Sequence, residues 1–331
     1  MQPVNCALCG AAASVVRFEL TKGTDSPWFF INECQDCGHV YMNPRPTETE
    51  LAAFYTKDYH YDAFYSEHFA KQARQFYQEL QRVIPAQSKL LDVGCSKGYF
   101  LHFAKQAGHQ VTGIEYSADA AAYAKDNFDI DVKVGSVDAV ELPAHSFDVI
   151  TAFDLIEHVP DFQATLKRFQ HWLKPGGLLI IDTPNYDSIY RKLTTDRWVG
   201  FDMPFHIHLF RPKTLRRALV GNGFKIKQTT TSHFNILSRE GLIRSKMFGL
   251  LTIAVKLLRL TGAWERAQKS YWVQPVAHQN QPVNQTVGET GYHEPKITVL
   301  DILEAGLNKP INKIVADRWL MGDGLRVIAQ T

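Results

Sequence analysis

The stretch "LLDVGCSKGYF", residues 90–100, restricts the fold more than any other part of this chain. "LLDV" reads as a buried parallel strand and "YFLHFAKQAG" as an amphipathic helix, so Gly94 and Gly98 fall in the turn between them. Glycines there let backbone N–H groups approach a ligand closely, and the helix N-terminus adds partial positive charge. The spacing narrows the choice of ligand. A dinucleotide fingerprint runs G-x-G-x-x-G and a phosphate loop G-x-x-x-x-G-K-[ST], whereas this turn is G-x-x-x-G, with Cys95, Ser96 and Lys97 between the glycines. Dinucleotides and nucleoside triphosphates are therefore poor candidates, and the bland alternative is a tight connection.

The next elements repeat the alternation. "QVTGIE" reads as a second strand ending at Glu115, about 20 residues beyond the turn, where a carboxylate can accept hydrogen bonds from two ribose hydroxyls. "DVKVGSV" supplies a third strand, "SFDVITAFDLIEHV" a fourth running into a helix, and "LKPGGLLIIDTPN" a turn and a fifth. Strands alternating with helices at this pace predict an α/β fold with a doubly wound, mostly parallel sheet covered on both faces.

Taken as a set, "LLDVGCSKG", "TGIEYS", "FDLIEHVPD" and "LKPGGLLIIDTPN" resemble the class I S-adenosylmethionine-dependent methyltransferases. The similarity is greatest to the small-molecule group that includes quinone-biosynthetic O-methyltransferases and sugar methyltransferases, and it spans roughly residues 86–230. It implies a Rossmann-like sheet of seven strands whose last is antiparallel, a place that "GLRVIAQT" can fill. By the same resemblance Asp92 lies near the methionine amino group, and Gly94, Cys95 and Gly98 belong to the loop under the methionine and ribose. Glu115 holds the ribose hydroxyls, with Tyr116 beside the adenine. Ser136 and Val137 take the adenine end, although the serine stands where the family often has an acid, with Asp138 as a substitute. Phe153 and Asp154 border the methyl group. His158 begins the next helix facing the cleft, or is a helix-start histidine satisfied by backbone.

Cys6, Cys9, Cys34 and Cys37 form two C-x-x-C-G knuckles separated by 24 residues. Such knuckles place four thiolates tetrahedrally around zinc, with each glycine letting the backbone turn beneath the metal. Disulfides and redox thiols are the alternatives. No N-terminal signal peptide is read in "MQPVNCALCG", which predicts a reducing, cytoplasmic setting. Residues 1–45 thus read as a zinc ribbon, with the intervening segment forming a hairpin. Between the knuckles only Arg17 and Lys22 oppose Glu19, Asp25 and Glu33, which makes no phosphate-binding face, and a net charge of +2 likewise argues against a nucleic-acid partner. Trp28, Phe29 and Phe30 read as packing residues or as a stacking platform.

Residues 46–85 read as a helical linker or lid. The N-P-R-P turn at residues 43–46 that leads into it, with Tyr55, Tyr59, Tyr61 and Tyr65, resembles the linker of zinc-ribbon sugar methyltransferases, where the N-terminal module helps close the substrate side. The core then runs over 86–240. Within it, "FDMPFHIHLF" places His206 and His208 two apart on an extended segment, so both rings are expected on one face, to relay a proton, bind a metal, grip a substrate oxygen or hold a loop. The stretch resembles a "FD…YHEH" segment of sugar C-methyltransferases, but Phe205 and Ile207 replace the tyrosine and the acid. The [ND]-P-P-[YF] motif of amino methylation has no counterpart after the fourth strand, where "AFDLIEH" stands.

Residues 241–331 read as an amphipathic helix, a polar loop and the final strand. The apolar run Met247 to Val255, flanked by Arg244, Lys246, Lys256 and Arg259, is too short for a span, which needs roughly 20 residues. Residues 241–261 are expected to touch the inner membrane face peripherally, to cover the pocket, or to pack on the domain. The expectation is an S-adenosylmethionine-dependent enzyme that methylates oxygen or carbon of a small-molecule or lipid-linked acceptor, with His158, His206 and His208 as candidate bases. An RNA methyltransferase using the ribbon, and a cofactor-binding regulator without turnover, are the alternatives.

Overall fold

A computed structural model of the protein describes residues 1–21, 28–47, 49–51, 63–198, 200–232 and 323–331. Tyr55, Tyr59 and Tyr61, the side chain of Tyr65, and the basic segment 241–261 lie outside the described residues. Among the described residues, no helix is long and apolar enough to cross a membrane.

Three short strands open the chain: β1 (Ser14–Leu20), β2 (Phe29–Cys34) and β3 (Val40–Met42). After helix α1 (Ala63–Leu80) the alternation begins, with β4 (Lys89–Val93), α2 (Tyr99–Gln106), β5 (Gln110–Glu115), α3 (Ala118–Phe128) and β6 (Asp131–Val134). It continues through β7 (Phe147–Phe153), α4 (Phe162–Trp172), β8 (Leu173–Pro184), α5 (Ile189–Thr194), β9 (His208–Leu209), α6 (Pro212–Gly221), β10 (Lys225–Ser232) and β11 (Gly324–Gln330).

The large sheet has seven strands in the order β10-β11-β8-β7-β4-β5-β6. Strands β4 to β8 pair in parallel, while β11 runs antiparallel to both β8 and β10, so "GLRVIAQT" takes the expected place. The order reverses between β4 and β7, and in open α/β sheets such a switch point opens a ligand crevice beyond the carboxyl ends of the strands. Strands buried on both faces explain the near-continuous apolar runs. One face packs Leu80, Phe100, Leu101, Ala104 and Ala124 from α1 to α3. The other packs Phe162, Leu166, Phe169, Leu215 and Leu219 from α4 and α6.

Helix α4 departs from expectation in its start. The fourth strand does not run directly into it, because Pro160 disfavours helical backbone at the residue before it and Asp161 caps the helix, its carboxylate accepting from the Ala164 amide at 3.0 Å. His158 accordingly sits in a turn ahead of the helix and does not begin it.

The ribbon is continuous with the rest. Its sheet has the order β1-β2-β3-β9, so the fourth strand comes from residues 208–209 of the core segment. Cys6, Leu8, Cys34, Cys37 and Tyr41 join the apolar cluster of α4 and α6, while Phe29, Ile31, Val40 and Met42 pack with Tyr186, Trp198 and Ile207. Trp28 stays exposed.

Candidate active site

The cofactor edge is built by one local turn. Gly94 and Gly98 both have positive φ, 78° and 75°, and a Cβ at Gly98 would come within 2.8 Å of the Ala124 methyl, so the turn needs glycine there. Glu115, at the end of β5, holds the turn in place: one carboxylate oxygen accepts from the Ser96 amide and the other from the Ser117 amide, both at 2.8 Å. Asp92 is buried in β4 and accepts from the Thr151 hydroxyl at 2.7 Å. Burial pushes its carboxyl up to about 7, with Thr151 opposing and Glu115 adding to the shift.

The other cofactor-side candidates divide. Tyr116 stands 64% exposed just past the end of β5. Cys95 turns its side chain into the core, where a Cβ on Gly113 would meet its sulfur at 2.5 Å, so only its backbone faces the turn. Ser136 is exposed and Val137 is buried in the core. Asp138 is engaged by Arg168, whose Nη2 donates to its carbonyl at 2.6 Å. Phe153 packs against the rings of Phe76 and Phe100, at 5.3 and 4.9 Å between centroids. Asp154 follows, exposed to solvent, with φ of 45°.

A second edge lies at the ends of β7 and β8. Glu157, His158 and His206 bring ligand atoms within 4.8 Å of one another, close enough to share a proton or a cation. Glu157 accepts from the Thr183 hydroxyl at 2.9 Å, and its other oxygen is buried with no hydrogen bond among the described residues. Burial, then Asp154, raises its carboxyl well above the usual range. The Phe205 carbonyl accepts from the His158 ring, whose Nδ1 is buried without a partner among the described residues. Burial, then His206, holds that ring well below the usual histidine range. The ring of His206 meets His158 edge-on at 4.6 Å and 79°, and its Nδ1 lies 2.9 Å from the Gly200 carbonyl.

His208 is not part of this group, which corrects the expectation that the two histidines share a face. Only His208 is in a strand, β9, while His206 sits ahead of it in irregular backbone, so the two-residue alternation does not extend to both. His208 is 1% exposed and turns toward the ribbon, its Nδ1 3.2 Å from His39 Nε2 and its Nε2 3.5 Å from the Pro160 carbonyl. Burial, with Arg45 adding to it, brings the ring down to about 3. With both nitrogens engaged, it has no free lone pair with which to take a proton.

The four knuckle sulfurs lie within 4.8 Å of one another, with Cys6–Cys37 and Cys9–Cys34 both at 3.5 Å. Zinc–sulfur bonds of about 2.3 Å put tetrahedral sulfurs about 3.8 Å apart, so the set fits that metal. All four are free thiols. Burial pushes Cys6 up and Cys37 up to about 11, the desolvation that a divalent ion would relieve by taking thiolates.

The fold and this turn define a class I S-adenosylmethionine-dependent methyltransferase, and residues 65–229 match the family described as "Methyltransferase domain". The chain belongs with these enzymes. It is 28% identical over 162 residues to the ubiquinone biosynthesis O-methyltransferase of Coxiella burnetii, covering 46% of this chain and 69% of that one. Over 110 residues it is 36% identical to the enzyme of the same name from Xanthomonas axonopodis pv. citri, 31% of this chain and 46% of the relative. A crystal structure of an S-adenosylmethionine-dependent methyltransferase from Archaeoglobus fulgidus superposes with a TM-score of 0.46 at 18% identity, over 82% of this chain and 100% of that one.

Several residues of the second edge were not singled out from the sequence. Glu157 is adjacent to His158 in "IEHV", and a lone arginine in the apolar "GLRVIAQT" was the available signal for Arg326. That guanidinium is buried between Asp182 and Glu79, both at 2.7 Å.

Proposed function

We propose that the protein methylates a ring hydroxyl of a quinone-like small molecule in the cytoplasm. The observation that carries this reading is the Glu157–His158–His206 group, gathered from the turn after β7 and the segment ahead of β9, with Glu157 buried and the two imidazoles partly exposed. Names of relatives that act in ubiquinone biosynthesis support the acceptor class. Glu115 is the residue to hold the ribose hydroxyls, the Gly94–Gly98 turn to pass beneath the cofactor, and Asp92 to face its amino group. S-adenosylmethionine supplies an electrophilic methyl on a sulfonium when bound, so the chain's task is alignment and removal of one proton.

His158 is the base best suited to that task. Its donating nitrogen is directed at Phe205, which leaves Nδ1 with the lone pair that takes the acceptor's hydroxyl proton. His206 packs edge-on against the ring and restricts its rotation. Glu157 lies in the same group, and the proton that its raised carboxyl retains lets it donate a hydrogen bond at this edge.

The test is turnover with a soluble catechol and labelled cofactor. His158→Ala is expected to lower kcat by about 10²–10⁴-fold, the usual worth of a positioned base, with cofactor affinity unchanged. Wild-type turnover by a folded His158→Ala protein would remove the assignment.

A further inference from the structure

The geometry points to His39 as a positioning residue for methyl transfer, through which the cysteine ribbon fixes the acceptor-side histidines. This rests on the reading of His158 and His206 as the acceptor edge.

His39 follows the second knuckle directly and is fixed by it. Its carbonyl accepts from the Cys34 amide at 2.9 Å, and the Gly38 amide donates to the Cys34 carbonyl at 3.0 Å. The imidazole is fully buried among the rings of Tyr41, Phe162, Phe210 and His208. A phenyl ring would fill such an aromatic box without the cost of burying two nitrogens. What the imidazole adds is direction. The Pro160 carbonyl faces His208 Nε2, so that nitrogen carries the proton and His208 Nδ1 accepts. His39 Nε2–H is then the donor across 3.2 Å.

The backbone of His208 and of the residue before it leads to the acceptor edge. Its amide and that of Ile207 both donate to the Glu157 carbonyl at 3.0 Å, and the Ile207 carbonyl accepts from Met42 of β3 at 3.0 Å. Arg45, the last residue of the ribbon, donates through Nη1 to the Pro160 carbonyl at 2.9 Å. The turn carrying Glu157 and His158 and the segment carrying His206 are thus clamped against each other from the ribbon side. His39 is the ribbon side chain that fixes His208 between them. Small displacements of reacting groups are costly: about 1 Å of misplacement can lose 10²-fold in rate.

The experiment compares His39→Phe, His39→Gln and His206→Ala in the full chain, using a soluble catechol and labelled S-adenosylmethionine, with zinc content and cofactor affinity measured on each protein. A glutamine amide reaches about as far as imidazole Nε2 and can donate the same bond. His39→Phe is expected to lose about 10-fold or more in kcat, with zinc and cofactor affinity unchanged, and His39→Gln to recover to within about 3-fold of wild type. If His39→Phe does not fold, the His39→Phe/His208→Phe pair removes both polar partners together, and it is expected to fold and stay slow. Wild-type kcat in a folded His39→Phe or double variant overturns the inference, and so does a zinc-loaded His39→Gln as slow as the phenylalanine. When His206→Ala is slow in the same assay, that failure belongs to His39 alone. Wild-type turnover by both His206→Ala and His158→Ala overturns the acceptor-edge reading and this inference with it.

Discussion

The two edges of the crevice are assembled in opposite ways. The cofactor edge is local: Asp92, Gly94, Gly98 and Glu115 lie within one strand–turn–helix–strand unit, and Glu115 bonds to amides only 19 and 2 positions away. The acceptor edge is gathered from residues 39, 157–160, 183 and 206–208, with His39 and His208 separated by 169 positions. A local edge tolerates damage elsewhere in the fold, whereas a gathered edge depends on every segment that contributes to it.

Removing the metal should break this comparison most sharply. Structural zinc at four thiolates contributes on the order of 10 kcal/mol of folding energy to a small module. Cys37→Ser, or chelation under reducing conditions, is expected to abolish the single zinc per chain and to lower the stability of ribbon and acceptor edge in one transition, because β9 and the Cys6–Leu8–Tyr41 packing are shared with the core. Calorimetry showing an early ribbon melt with the main transition unmoved would make the two regions independent. Next in size is Gly98→Val, which puts a branched side chain at φ 75° and against Ala124. A stability loss of about 1–3 kcal/mol is expected by denaturant titration, the usual cost of a strained backbone or overpacked site.

Glu115→Ala should act on the cofactor edge alone. It is expected to weaken S-adenosylmethionine binding by about 1–3 kcal/mol in titration calorimetry, the range for hydrogen bonds to charged groups, with zinc content untouched. Unchanged affinity would take Glu115 out of the ribose site.

The smallest effects separate the edges by pH. Asp92 has its carboxyl raised from 3.8 to about 7, so its contribution is full below pH 3.8 and lost as pH rises through 7. His208 is lowered from 6.5 to about 3, so its contribution is full above pH 6.5 and lost as pH falls toward 3. Asp92→Asn is therefore expected to flatten the stability profile between pH 4 and 7, and the His39→Phe/His208→Phe pair to flatten it below 6.5, measured by urea midpoints across pH. Identical profiles for the two variants would mean that neither edge titrates as its burial implies.

How much of each edge was legible in the sequence follows from the same contrast. The "DVGCSKG" turn and "TGIE" strand end could be read because the residues that define them are neighbours in one βαβ unit. The knuckle cysteines could be read because a metal imposes spacing on its ligands. Nothing local links His39 to His208, and alternation counted on "HIH" failed because irregular backbone ahead of β9 turns His206 the other way. The helix start was misplaced for a physical reason also visible in the chain, the Pro160–Asp161 pair. Cys95 sits in the ligand turn yet faces inward, a direction set by the space that Gly113 leaves on the next strand.

The position of β11 bears on the order in which the protein can be made. It lies between β8 and β10 although 91 residues separate it from β10 in the chain, so the sheet stays open in its interior until residues 324–330 leave the ribosome. Until then β8 presents unpaired backbone beside Leu179, Ile180 and Ile181, an apolar edge of the kind that pairs with other chains. Nascent chains stalled before residue 324 should therefore hold folded β4 to β7 units together with a sticky β8 edge, and depend on chaperones until the last strand is inserted.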